Sequence, residues 1–312
     1  TYFLVKERLY QNIESSSIKS AESYAREISN MFEIRMAELT AYASTPLVKS
    51  LDWDKIEPFL KQEFEKRKDF YDILFVADSS GDYNTILKRN AGNLQDRAYW
   101  KPVMEGNSVV SDPVISKSTG NLVSVISAPI KDDNGKVIGL IAGNLKMSDF
   151  YDKIKENKVS HKDSYCYVID KNGTFIAYSD KDFILTESIA VKSEKITDAI
   201  VEASKSILSK EKGSVRFNYK NLDRYVFYSS IPGQNGWKFC LSVPASYINE
   251  PVKDILLVLQ ILSVIFIFII SFAALFIGNL IAHPISAVTD FIHNMSSGNF
   301  TGSIKKSYTQ RK

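Results

Sequence analysis

The sequence predicts an α+β protein in which a long N-terminal helix supports two successive α/β modules with antiparallel sheets, followed by a membrane-spanning helix. Three patterns carry this prediction. The chain up to about Ser44 repeats apolar side chains at helical spacing. Two later units each join β-rich runs through turns that end in glycine. A final stretch around Phe266 is apolar and carries no charge.

The N-terminal helix is predicted from Val5 to about Ser44, because no Gly or Pro interrupts this stretch. Its apolar residues recur at steps of three or four, so they form one stripe along a helix. The stripe comprises Ile18, Ala21, Ala25, Ile28, Phe32, Met36 and Leu39. A helix of this length is a rod of roughly 60 Å, and we expect a core to pack against its stripe. A second, shorter helix is predicted over Lys55–Arg67.

The first β-rich unit begins with a strand over Ile73–Ala77, which ends in the turn sequence DSSG. Two further strands, Leu122–Pro129 and Val137–Leu145, are joined through Asn134-Gly135. Asn-Gly between β-rich runs predicts a hairpin in which both turn residues adopt positive φ. The irregular insert Asn90–Thr119 lies between the strands, and a segment this long inside a compact domain is typical of a functional loop.

The second β-rich unit repeats this order. A strand over Tyr165–Ile169 ends in the turn DKNG, whose Asp170 follows Asp78 of the first unit by 92 positions. The elements predicted after it are a strand at Thr174–Tyr178, a helix at Ile196–Leu208, and strands at Gly213–Tyr219, Arg224–Ser230 and Trp237–Val243. The shared order indicates an internal duplication.

The stretch Ile255–Ile277 runs 23 residues without a charge. A helix of that length, roughly 34 Å, crosses a hydrocarbon core, so we predict a transmembrane helix over residues 255–281. Lys and Arg outnumber acids after it, which is typical of the cytoplasmic side. Residues 1–254 are therefore expected outside the cytoplasm and residues after about 282 inside it. The opening TYFLV looks like the last turn of an earlier span, so we expect a multi-pass protein of the cell membrane.

Composition argues against several functional classes. A net charge of +3, mixed along the chain, does not indicate a nucleic-acid partner. Three scattered histidines predict no metal site, and no cofactor is expected. We find no GxSxG or HExxH motif, so an enzyme is not expected. Cys166 and Cys240 fall on predicted strands that could be neighbours, and two buried free thiols are favoured over a disulfide.

Some segments are specific enough to compare with a known family. They are DRAYWKPVMEGN at Asp96–Asn107, SDPVISKSTGN at Ser111–Asn121, and the hairpin sequence APIKDDNGKVIGLIAGNL. Together with the order of elements over roughly residues 1–250, they resemble the double Cache (dCache) sensor domain of bacterial transmembrane chemoreceptors, the methyl-accepting chemotaxis proteins. After the span, HPISAVTDFIHNMSSGNFTGSI at His283–Ile304 is similar to the start of a HAMP linker.

This resemblance implies a domain organisation. It places a stalk helix at 1–48, a membrane-distal PAS-like ligand-binding module at 49–150, a membrane-proximal PAS-like module at 151–250, the transmembrane helix at 255–281 and the start of a HAMP linker at 282–312. It implies a homodimer that binds a small extracellular metabolite in the distal module and signals through the membrane helix. The sensor portion of a transmembrane histidine kinase or diguanylate cyclase is the alternative, and a membrane-anchored outer enzyme is less favoured.

The resemblance also implies a ligand site. In the amino-acid-binding members of the family, an Arg-x-aromatic-aromatic group clamps the ligand carboxylate and covers it with rings. Arg97, Tyr99 and Trp100 match this group. The chemistry is sound by itself, because a guanidinium offers a planar pair of donors to a carboxylate and aromatic rings bury apolar ligand surface.

Other positions depart from the amino-acid-binding pattern. Val114 stands where a tyrosine is expected, Ser116 where an acid is expected, and Asn144 where a carboxylate pairs with the ligand ammonium. Burying an ammonium without a partner charge is costly, so we expect ordinary α-amino acids to bind poorly. A carboxylate without an amine, or a neutral heteroaromatic such as a purine, is favoured instead. An alternative source of the missing charge is one of three acids, Asp72, Asp78 and Asp112.

Overall fold

The computed structural model describes residues 2–147, 150–152, 163–219 and 221–297. Its helices are α1 Tyr2–Ala43, α2 Pro46–Lys49, α3 Trp53–Glu65, α4 Trp100–Met104, α5 Asp198–Ser209 and α6 Ser246–Ser296, with a 3-10 turn at Lys181–Phe183. Its strands are β1 Tyr71–Asp78, β2 Asp82–Thr85, β3 Gly92–Asn93, β4 Val109–Val110, β5 Val114–Ile115, β6 Leu122–Lys131, β7 Val137–Lys146, β8 Tyr165–Ile169, β9 Phe175–Ala177, β10 Lys212–Tyr219, β11 Leu222–Ser230 and β12 Lys238–Pro244. The α+β fold class is confirmed.

Helix α1 confirms the predicted rod, and its stripe carries the core. Five of the seven predicted stripe residues are buried, and the other two, Ile18 and Met36, pack against the core from its edge. The helix lies against strands of both sheets, including β6 and β11. The Ser29 hydroxyl donates to the carbonyl of Pro232 at 2.9 Å, which ties α1 to the turn before β12. One helix therefore supports both modules.

In the first module, the described strands form an antiparallel sheet in the order β3-β2-β1-β7-β6-β4, with β5 also paired to β6. The predicted hairpin β6–β7 is confirmed. Its turn differs from the expected type, because Gly135 has φ +81° while Asn134 does not have a positive φ. The turn is instead organised by Asp132, whose side chain accepts the backbone N–H groups of Asn134 and Lys136 at 2.9 Å each. An Asx-type turn of this kind needs positive φ only at the glycine.

The second module has a sheet in the order β10-β11-β12-β8-β9. Read from the other edge, β9-β8-β12-β11-β10 corresponds to β2-β1-β7-β6-β4 of the first sheet. The two turns also match, because Asp78 accepts the backbone N–H groups two and four residues on, and Asp170 does the same. The duplication predicted from the turn sequences is therefore a duplication of strand order and turn geometry.

Trp237 joins the two modules within the unit Thr1–Asn249. Its side chain is buried, its Nε1 donates to a carboxylate oxygen of Asp112 at 2.8 Å, and its ring meets Phe32 of α1 edge-on at 5.7 Å. A single hydrophobic cluster extends from α1 and the first sheet to Phe227 and Phe239 of the second sheet. The modules share a core, and the boundaries at 49–150 and 151–250 stay a prediction.

The two cysteines lie on neighbouring strands, as predicted, and both are buried thiols that form no disulfide. Their strands β8 and β12 pair so that Cys240 is opposite Tyr167 and Cys166 is opposite Leu241. Successive strand residues point to opposite faces of a sheet, so the two sulfurs lie on opposite faces. This geometry explains why neighbouring strands do not bring a disulfide together here.

The unit Glu250–Lys312 contains most of helix α6. One helix of the described residues is long and apolar enough to span a membrane. It covers Ser246–Ile281, and an 18-residue window within it has a mean hydropathy of 3.0. Residues Leu257 to Ile281 are all exposed, and so large an apolar surface needs an apolar surrounding. Residues 298–312, which carry the end of the predicted HAMP segment and the basic residues of the tail, lie outside the described residues.

Candidate functional site

A cleft lies between the first sheet and the insert that follows β2. The sheet contributes Phe75 of β1, Tyr83 of β2, two valines of β6 and Asn144 of β7. The insert contributes Leu94, Arg97, Tyr99, Val114, Ser116, Lys117 and Ser118. Tyr83 is paired with Ala77 in the β1–β2 ladder, two positions from Phe75, so both rings project from the same face of the sheet. Their centroids are 5.7 Å apart.

The structure brings five of the six predicted site residues to this cleft: Arg97, Tyr99, Val114, Ser116 and Asn144. The sixth, Trp100, is not among the lining residues. It begins α4, and its ring belongs to the hydrophobic core. Tyr99 immediately precedes α4 and is buried, and this burial raises the pKa of its hydroxyl. The Tyr99 hydroxyl is therefore a neutral group at the wall of the cleft.

Arg97 keeps most of its hydrogen-bonding capacity. Its Nη2 donates to the carbonyl of Ile115 at 3.1 Å, and within the described residues it makes no ion pair. A guanidinium has five N–H donors, so the remaining donors are open to a ligand. The neighbouring acid does not compete, because Asp96 binds Lys117 at 2.7 and 2.8 Å. The Lys117 ammonium lowers the pKa of Asp96 and holds it as a carboxylate.

Ser116 and Asn144 form the polar centre of the cleft. Ser116 Oγ accepts the backbone N–H groups of Ser118 at 3.3 Å and Thr119 at 3.2 Å. Asn144 Nδ2 donates to the same oxygen at 3.1 Å. Asn144 is only 4% exposed, and its Oδ1 has no hydrogen-bond partner among the described residues. A buried carbonyl oxygen without a partner is costly, so this atom is suited to accept a hydrogen bond from a ligand.

The three acids that could have supplied a negative charge are engaged elsewhere. Asp72 accepts from the Thr119 hydroxyl and, at 2.9 Å, from Asn121 Nδ2. Asp78 caps the β1–β2 turn, and Asp112 binds Trp237. No Asp or Glu is among the described residues that line the cleft. The lining therefore carries positive charge from Arg97 and no negative charge to match a ligand ammonium.

The cleft encloses about 20 Å³. A volume of roughly 10–15 Å³ holds one water, whereas small-molecule sites are usually in the range of about 300–1,000 Å³. The Tyr83 hydroxyl lies 3.2 Å from Ser118 Oγ, which joins the sheet to the insert. Binding of an organic ligand therefore requires the insert to move away from the sheet.

The sequence prediction missed the ring pair of the cleft, Phe75 and Tyr83. A usable signal was present, because these residues stand three positions before and five positions after the turn residue Asp78. Both lie on strands that flank a tight turn, where alternation places every second residue on one face. Lys117 was also missed, and its interaction with Asp96 could not be read from sequence.

Comparisons with known proteins agree with this architecture. The family profile of the Cache domain matches residues 3–252. The methyl-accepting chemotaxis protein McpB of Bacillus subtilis (strain 168) is 22% identical over 213 residues, which cover 68% of this chain and 30% of that protein. TlpA, a methyl-accepting chemotaxis protein of the same strain, is 23% identical over 269 residues, 81% of this chain and 38% of that protein. The chain thus spans about a third of the length of these curated relatives.

Among solved structures, the ligand-binding domain of the Pseudomonas aeruginosa PAO1 amino acid chemoreceptor PctB, in complex with L-Arg, superimposes with a TM-score of 0.59 at 15% identity. The superposition covers 76% of this chain and 97% of that domain. At this identity the likeness shows the fold. The family profile, in contrast, covers the stalk helix and both sheets. The chain therefore belongs to the Cache domain family, in its double Cache form.

Proposed function

We propose that this chain is the ligand-sensing portion of a transmembrane chemotaxis receptor, and that its distal cleft binds a small extracellular metabolite. The observation that carries the proposal is the Arg97 guanidinium, which lines a cleft of a Cache sheet with one hydrogen bond and no ion pair among the described residues. McpB and TlpA, two curated relatives of matching sequence, are methyl-accepting chemotaxis proteins. Cleft, family and apolar helix all fit one extracellular sensor.

The favoured ligand is a carboxylate without an amine, and a neutral heteroaromatic is second. Arg97 offers the planar donors that fit a carboxylate. The PctB domain, of similar fold, was solved with an amino acid, yet here Asn144 and Ser116 provide no charge for an ammonium. Leaving that ammonium unpaired in a buried cleft would weaken binding. The unpartnered Oδ1 of Asn144 instead accepts from a ligand hydroxyl or N–H.

The membrane arrangement is part of the proposal. Helix α6 crosses the membrane, residues 1–254 are extracytoplasmic, and residues after about 282 are cytoplasmic. The protein is multi-pass and homodimeric, and residues 282–312 begin a HAMP linker. The apolar, uncharged surface of α6 supports the crossing.

The signal leaves the cleft through the insert. Val114 and Ser116 line the cleft, and Asp112, two residues before Val114, binds Trp237 at 2.8 Å. Trp237 packs on Phe32 of α1. A ligand that moves the insert is therefore expected to change the contact of Asp112 with Trp237, which links the two modules to the stalk helix. It can shift the receptor only by its differential affinity for the two states.

Calorimetry on the full chain in lipid nanodiscs tests the ligand class with matched pairs. Propionate is compared with L-alanine, and 3-phenylpropionate with L-phenylalanine, since each pair differs only in the amine. We expect the acid without an amine to bind about tenfold tighter or more. Micromolar binding of either amino acid by the wild type would overturn the proposed ligand class.

Arg97→Gln tests the site itself. We expect it to lower the affinity for the bound acid about 100-fold, because it removes a charge-assisted, bidentate contact. Arg89→Gln is the matched control, since the Arg89 guanidinium is held by Asp54 at 2.7 Å and Glu57 at 2.8 Å outside the cleft. Equal affinities for Arg97→Gln and wild type would show that the ligand does not bind in this cleft.

A further inference from the structure

The second module also contains a cleft between its sheet and the segment that follows its first hairpin. The space is about 40 Å³, and most of the residues around it are Phe or Tyr. The aromatic lining comprises Tyr165, Tyr167, Phe175, Tyr178, Phe183 and two residues of β10. Tyr178 packs against four of these rings at centroid distances of 5.3–6.0 Å. The lining residues also include one cation, Lys195.

This aromatic cleft occupies the same place in its module as the Arg97 cleft does in the first. Phe75 and Tyr83 stand three residues before and five after Asp78, and Tyr167 and Phe175 stand in the same positions around Asp170. In each module the later ring pairs with the residue just before the turn aspartate: Tyr83 with Ala77, and Phe175 with Ile169. The ring centroids are 5.7 Å apart in the first module and 5.2 Å in the second.

Lys195 supplies the charge of this cleft. Its Nζ lies 4.8 Å from the centroid of the Phe183 ring, and among the described residues it forms no ion pair. Two acids of the same segment are engaged, since Glu187 accepts from the Ser193 hydroxyl at 2.6 Å and Asp198 binds Lys192 at 2.6 Å. The ammonium is therefore open to a ligand anion, in the role that the guanidinium has in the first module.

The walls of the aromatic cleft also carry polar groups, the hydroxyls of its tyrosines. Within the described residues, the hydroxyls of Tyr165 and Tyr178 make no hydrogen bond, although their rings are half-buried. Burial raises the pKa of Tyr178 and keeps its hydroxyl neutral. An apolar ring body with a polar tip is the usual lining for an amphipathic small molecule. The lining suits a ligand with a flat apolar body and one anionic group.

We propose that the second module carries its own ligand site, in which the rings of Tyr167, Phe175 and Tyr178 hold the body of an aromatic monocarboxylate and Lys195 binds its carboxylate. A cationic ligand of the same shape is disfavoured, because the Lys195 ammonium already occupies the face of Phe183 and would repel it. As in the first module, entry requires the segment above the sheet to move, since 40 Å³ holds little more than water. The site does not depend on what the distal cleft binds.

The test uses ¹⁹F NMR relaxation of 4-fluorophenylacetate with the full chain in lipid nanodiscs. All variants are made on the Arg97→Gln background, so that any carboxylate binding in the distal cleft is removed. We expect Arg97→Gln to retain a saturable site for the probe and Lys195→Met to weaken that site at least about tenfold. Lys195 is partly exposed, so this variant is expected to fold.

Lys205→Met is the matched control, because Lys205 is an exposed lysine of α5 that pairs with Glu202 away from the cleft. It should leave the affinity unchanged. Ile200→Trp, which fills the cleft from α5, should abolish binding. The proposal is overturned if Arg97→Gln shows no saturable binding, if Lys195→Met binds as Lys205→Met does, or if 4-fluorobenzylamine binds as tightly as the acid. Failure of the distal site alone would appear in the calorimetry of propionate and L-alanine, because neither carries an aromatic ring for the second site.

Discussion

The two modules share a strand order, a turn and a pair of rings, but Arg97 of the first module and Arg224 of the second have opposite roles. Within the described residues, Arg97 of the first module makes one hydrogen bond, and its side chain lines a cleft. Arg224 of the second module is buried and donates hydrogen bonds to Ser242 Oγ at 2.8 Å and to the Asp163 carbonyl at 2.7 Å. Its guanidinium lies 4.6 Å from the centroid of the Tyr165 ring.

The difference shows which part of the scaffold determines binding. In both modules, the sheet and its first turn position two aromatic rings at equivalent places. The rest of the lining comes from other strands of each sheet and from the segment after the turn. It includes Arg97 and Asn144 in the first module, and further aromatic rings with Lys195 in the second. The chemistry of each cleft therefore depends on side chains added to a common fold.

The largest expected effect concerns how independent the modules are. A Cβ at Gly139 would lie 2.2 Å from the Ala77 carbonyl oxygen, and that backbone atom cannot move without breaking the β1–β7 ladder. We expect Gly139→Ala to destabilise the chain by about 3 kcal/mol. The second module should unfold with the first, because they share a core around α1.

Differential scanning calorimetry measures this on the full chain. A single transition at lower temperature is expected for Gly139→Ala. Two separate transitions, of which only one is shifted, would show that the modules unfold independently and that the shared cluster does not couple them.

The second prediction converts the ligand preference of the first module. Asn144→Asp places a carboxylate at the buried position that we propose faces the ligand, so it should improve L-amino acid binding relative to the acid without an amine by about tenfold or more. Asn144→Ser removes the amide without adding charge and should produce no such shift. Calorimetry with L-alanine and propionate measures both. An unchanged ratio in Asn144→Asp would mean that position 144 does not face the ligand ammonium.

The third prediction concerns the contact between modules. Trp237→Phe replaces the indole by a smaller ring and removes the N–H that Asp112 accepts; loss of this hydrogen bond should add about 1 kcal/mol to the cost of the smaller ring. For a unit of this size the melting temperature should fall by roughly 2–4 °C. Trp53→Phe is the control, because Trp53 Nε1 is buried with no hydrogen-bond partner among the described residues. Equal melting temperatures for the two variants would show that the Trp237–Asp112 bond adds nothing to stability.

The smallest expected effect tests how firmly the aromatic cleft is closed. Burial raises the pKa of the Cys240 thiol to about 12, and the thiolate is the reactive form. Cys240 is paired with Tyr167, whose ring lines the cleft. In a Cys166→Ser background we expect almost no labelling by a thiol reagent at about pH 8, and a rising rate as the pH approaches the raised pKa. Rapid labelling at about pH 8 would indicate that Tyr167 moves away from the thiol in solution.

The sequence determined the main elements of this protein. The helical stripe of α1, the strands outside β2–β5, both aspartate turns and the apolar helix follow from spacings within a short stretch of chain, which the backbone periods of helix and strand translate directly into structure. The short elements α2, α4 and β2–β5 were not predicted. Five of the six site residues proposed from the sequence line one cleft, because a family motif and its neighbours occupy one contiguous insert and one hairpin.

Only the tertiary structure decided which of these residues meet. It placed Trp100 in the core and brought Phe75 and Tyr83 into the cleft. It also paired Asp96 with Lys117 and gave other hydrogen-bond partners to the three acids that could have balanced an ammonium. It put Cys166 and Cys240 on opposite faces of neighbouring strands. Each of these outcomes depends on cross-strand register and on partners far apart in sequence, which a local period does not specify.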